Sequence, residues 1–121
     1  MWYSHIATEV DQNSTMQARV TAEADSPWFS GHFPGDPILP GIAQLSMVTE
    51  SLRTVFGKNG SLESVSRIKF KKIIRPGDIM DIKISAGRKN NHYSFTISSE
   101  HQEVCSGRLV LAPNKGATTT P

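Results

Sequence analysis

The chain has 121 residues, 37% of them hydrophobic and 20% charged, with a formal net charge of +2. That length holds a single domain spanning residues 1–121, and the mixture is that of a folded globular chain rather than a disordered one. The small charge and an aromatic content of 7% speak against nucleic-acid binding, and a lone cysteine, Cys105, excludes an internal disulfide and a cysteine-pair metal ligand.

Residues 1–10 have neither a basic n-region nor an apolar h-region, so no secretory signal is expected. No run of about 18 apolar residues is present, so no membrane span is expected and a cytoplasmic location is the default. Residues 2–10 and 15–24 read as strands joined by a turn at Asp11-Gln12-Asn13. In the second stretch Met16, Ala18, Val20 and Ala22 alternate with polar residues, the pattern of a half-buried strand.

Residues 26–41 are dense in proline and glycine, which describes a fixed, turning loop. Leu39, Ile42, Leu45, Val48, Leu52 and Val55 then recur at spacings of three and four, a helix with one apolar face. Pro40 suits its N-terminal position, and Gly57 or Gly60 can end it. Strands are expected again over residues 65–74, 78–86, 91–99 and 103–112, with a flexible tail over 113–121. One helix against a six-stranded antiparallel sheet is an α+β arrangement whose exposed sheet edge invites a second copy.

Chemistry concentrates in the loop. Its prolines hold His32 in one orientation just before a helix N-terminus. Gly41 lets a ligand approach the backbone, where free N–H groups and the positive end of the helix dipole can hold an oxyanion. A base beside an oxyanion donor suits chemistry alpha to a carbonyl, although a lone loop histidine is more often structural. Asp36 reads either as a nearby carboxylate or as a turn residue before Pro37. His5, His92 and His101 stand at no metal-ligand spacing, and neither a metal nor a cofactor is expected.

Gly31-His32-Phe33-Pro34, then Pro37, then Pro40-Gly41 resembles the G-H-F-P-x-x-P-x-x-P-G signature of the 3-hydroxyacyl-(acyl carrier protein) dehydratases. Residues 69–78, ending in Pro76-Gly77-Asp78, are similar to a later strand of that family. The resemblance covers about residues 15–112 and implies a hot-dog fold that dimerises edge to edge, with acyl tunnels at the interface. It implies a hydro-lyase that interconverts 3-hydroxyacyl and trans-2-enoyl thioesters in fatty-acid or related lipid or polyketide synthesis. The substrate would arrive on acyl carrier protein or CoA, and the assembly would be a homodimer or higher oligomer. By position His32 would remove the alpha proton, and the Gly41 N–H would polarise the thioester carbonyl. Phe33, Pro40, Ile42 and Ser46 would contact substrate.

One departure stands out. Fourteen residues after the histidine the family has a carboxylate, and here that position is Ser46. A serine hydroxyl cannot serve as a titrating acid, and losing a general acid costs roughly 10²–10⁴ in rate. Glu50, one turn on, and Asp36 are the candidate replacements; Glu50 also reads as a surface residue paired with Arg53. A thioesterase, or a noncatalytic acyl-thioester binder or partner subunit, is the alternative reading. Lys69, Lys71, Lys72 and Arg75, with Arg67, form a basic stretch that suits either an acidic carrier protein or a solvated strand face.

Overall fold

The computed structural model describes residues 3–10, 15–23, 39, 41–58 and 60–112. Six strands form one antiparallel sheet: β1 (Tyr3–Val10), β2 (Met16–Ala22), β3 (Ser61–Phe70), β4 (Ile79–Ala86), β5 (His92–Ser99) and β6 (Gln102–Ala112). Their spatial order is β1-β2-β4-β5-β6-β3, so β1 and β3 are the sheet edges. Among the described residues one helix, α1 (Gly41–Glu50), continues into a π-helical segment over Ser51–Val55. The expected turn at 11–13, most of the Pro/Gly loop and the tail lie outside the described residues.

Alternation on the strands builds the packed face. Ala18, Ile82, Ile97 and Cys105 stand in register across β2, β4, β5 and β6, and all are buried. Met16, Ile84 and Phe95 form the next row, which ends at Gly107 on β6. There Ile68 and the Phe95 ring close over the space a β-carbon would enter, so a larger residue would require the Ile68 side chain to shift. Ala43, Met47, Val48 and Leu52 of the helix are buried in the same apolar cluster, which joins helix and sheet into one core.

The expected helix is present, but its last turn widens. Phe56 N donates to Ser51 O at 3.1 Å and Lys58 N to Leu52 O at 2.8 Å, and Gly57 adopts φ +70°. Thr49 and Thr54 hydroxyls donate to the carbonyls of Leu45 and Glu50, one on each side of the transition. Such back-bonding competes with the helical ladder and favours local distortion.

The expected strand over 65–74 is displaced: β3 begins at Ser61 and ends at Phe70. A bulge between Ser66 and Lys69, with Arg67 at φ 54°, inserts a residue against β6. Beyond Phe70, Lys71 N and Lys72 N both donate to Val104 O, and the chain leaves the sheet. Ile74 is then fully buried and its carbonyl accepts from Leu39 N at 2.7 Å, tying this connection to the chain just before α1. Pro76-Gly77 makes the next turn, with Gly77 at φ +84° and the Asp78 carboxylate accepting from Arg75 N at 2.9 Å.

Candidate active site

The N-terminus of α1 is framed by Leu39, Gln44, Phe70 and Ile74. The Gln44 side chain is 3% exposed, and its Nε2 donates to Leu39 O at 3.2 Å. Two hydrogen bonds therefore fix Leu39, one to the β3–β4 connection and one to the helix itself. Gly41, the first helical residue, lies under the Phe70 ring; a methyl group there would stand 2.6 Å from Phe70 Cζ. No acidic side chain occupies the first turn of α1, so the positive end of its dipole is uncompensated by the helix's own residues.

Gln44 Oε1 is buried and has no hydrogen-bond partner among the described residues. The sequence reading passed over Gln44 and Phe70. The signal for Gln44 was a polar residue between Ala43 and Leu45, inside an otherwise apolar helix start.

Ser46 and Glu50 come together. Both are half-buried and line one hollow of about 220 Å³ with Thr49, Arg53 and Leu62. No Glu50–Arg53 ion pair forms among the described residues, so the surface pairing expected for Glu50 is absent. Leu62 belongs to the edge strand β3, so the hollow opens beside the unpaired sheet edge. Ile42 lies in the first turn of α1. His32, Phe33, Asp36 and Pro40 lie outside the described residues.

The basic stretch does not form one continuous strand face. The bulge at Arg67 interrupts the alternation, and Lys71, Lys72 and Arg75 fall beyond the end of β3. Lys71 Nζ meets the Glu103 carboxylate at 2.6 Å, and that hydrogen bond holds the Glu103 pKa below its usual value. Lys69 and Lys72 remain exposed. Among the described residues no cluster of His, Cys, Asp and Glu could hold a metal ion, and no helix is long and apolar enough to cross a membrane.

Among the described residues, one helix wrapped by this antiparallel sheet makes the hot-dog fold, shared with dehydratases. The dehydratase heterocomplex ApeI:P from Xenorhabdus doucetiae superposes with a TM-score of 0.82 at 26% identity, over 93% of this chain and 99% of that one. An uncharacterised protein from Erwinia carotovora subsp. atroseptica gives 0.80 at 27% identity, over 93% and 98%. The 3-hydroxyacyl-[acyl-carrier-protein] dehydratase FabZ of Caldicellulosiruptor saccharolyticus is 30% identical, with 86% of this chain and 81% of that one covered. The family model described as ApeI-like, ApeI dehydratase, matches residues 7–108, and the chain belongs to that family.

Proposed function

We propose that the chain is a 3-hydroxyacyl-thioester dehydratase subunit, interconverting 3-hydroxyacyl and trans-2-enoyl thioesters in fatty-acid or related lipid or polyketide synthesis. The observation that carries this reading is the family match over residues 7–108, which includes the Gly31-His32-Phe33-Pro34 signature running into α1 at Gly41. The His32 imidazole takes the C2 proton while the Gly41 N–H holds the developing thioester oxyanion. The C2–H electron pair becomes the C2=C3 double bond. The C3–O bond breaks, and the hydroxyl leaves as water with a proton from a carboxylic acid.

We assign that acid to Glu50, because it lines the same hollow as Ser46, the position at which the family carries its carboxylate. The thioester is carried on acyl carrier protein, as the name of the Caldicellulosiruptor relative states for that enzyme, or on CoA. The assembly that suits this site is a dimer joined through the β3 edges. A second reading is favoured by Ser46 together with the heterocomplex of the Xenorhabdus protein: a different hot-dog subunit supplies the carboxylate.

Absorbance assays of enoyl–hydroxyacyl interconversion, run beside a free-thiol assay, test these assignments. Glu50→Gln is expected to lower kcat by about 10²-fold or more, with Ser46→Glu in that background restoring turnover. Activity that appears only on mixing with a second hot-dog subunit would favour the heteromeric reading. Thiol release without hydration would overturn the dehydratase in favour of a thioesterase.

A further inference from the structure

The β4–β5 hairpin borders a second hollow, of about 490 Å³, on the face of the sheet turned away from the core. At its centre is Arg108 of β6, exposed, with Ser66 of β3 and Ser94 of β5 as its register partners on either side. Register partners project to the same face, so Ser66 and Ser94 present hydroxyls on the face that carries Arg108. The exposed Arg88 and Lys89 of the hairpin, with His92, close one wall. No carboxylate lines the hollow, and none of Arg88, Lys89 and Arg108 has an ion-pair partner among the described residues. By contrast, Arg19 on β2 meets Asp81 at 2.8 Å, and Lys71 just beyond β3 meets Glu103 at 2.6 Å.

Three cations left uncompensated around one concavity repel each other in the free protein and reward a ligand of several negative charges. Guanidinium and hydroxyl donors side by side match phosphate oxygens in geometry as well as charge. We propose that this hollow binds a small molecule bearing phosphate groups. The concavity, with two serine residues beside Arg108 on adjacent strands, favours a small ligand over the acidic surface of a protein. The proposal stands independently of the thioester chemistry, since it uses no residue of that site.

Titration of the ¹⁵N-labelled protein with sodium pyrophosphate, at ionic strength held constant with NaCl, tests it. The amide signals of Ser94, Arg108 and Lys89 are expected to shift saturably, with affinity about tenfold weaker in Arg108→Ala and unchanged in Arg19→Ala. Both arginines are exposed on strand surfaces, and their variants are expected to keep the wild-type spectrum elsewhere. Coenzyme A, titrated separately, distinguishes sources: tighter saturation than pyrophosphate assigns the phosphates to a nucleotide, equal saturation to a free polyphosphate. Linear drift matching NaCl alone, or saturation that Arg108→Ala leaves intact, would overturn the site. Saturation of these amides by an acidic acyl carrier protein but not by pyrophosphate would overturn it in favour of a protein partner.

Discussion

Cys105 faces the packed side of β6, in register with Ile97 and Phe70. Burial, with a smaller effect from the Glu103 charge, pushes its thiol pKa up to about 11. Because the thiolate is the nucleophile, the native protein is expected to resist disulfide reagents at neutral pH. It should release one equivalent of thiol in denaturant, and fast labelling of the native chain would contradict the burial. The same shift has a consequence for stability. An unfolded thiol ionises near about 8.5, so between there and the folded value the unfolded state binds fewer protons. Stability contributed by Cys105 is therefore fully present below that window and falls as pH rises through it. Urea midpoints from neutral to alkaline pH should drop less in Cys105→Ala than in wild type. At the same scale, Gln44 holds the helix start through its hydrogen bond to the Leu39 carbonyl, a role signalled only by a polar residue among apolar neighbours.

At the scale of elements, the helix docks on the sheet through Met47, Val48 and Leu52, each fully buried. Met47→Ala should destabilise the fold by about 2–5 kcal/mol, read as a lower denaturation midpoint with the m-value unchanged. A change below about 1 kcal/mol would mean that the helix packs more loosely than described. The amphipathic spacing that located this helix depends on side chains alone and was legible. The π-helical turn after Glu50 was not, because it lies in the backbone hydrogen-bond pattern at the helix end, which periodicity does not register. β2 was legible for the same reason as the helix, since Met16, Ala18 and Val20 are buried in alternation. β3 was misplaced because an edge strand exposed along most of its length has little contrast between its faces, and because its bulge breaks the alternation. Of the candidate site, the glycine at the helix start and the pairing of Ser46 with Glu50 followed from spacing. The Phe70 ring over Gly41 did not, because that contact joins distant segments.

At the scale of the whole molecule, the sheet is covered unevenly. Val65 and Leu62 stand in register with the buried Leu109 and Leu111, yet they are 38% and 37% exposed on the edge strand. Phe70, opposite Cys105, is 52% exposed. An apolar margin on the edge strand beside the Ser46–Glu50 hollow is a surface that edge pairing with a second copy would cover. Light scattering is expected to report a dimer for the wild type and a monomer for Val65→Lys, with turnover lost together with the dimer. A wild-type monomer would contradict that assembly. The most direct test of the central claim is hydration of a crotonyl thioester in D₂O, followed by NMR and mass analysis of the product. The account predicts a 3-hydroxybutyryl thioester with one deuteron at C2, and no such product from folded His32→Ala. Free thiol, a product without deuterium at C2, or undiminished labelling by His32→Ala would contradict it.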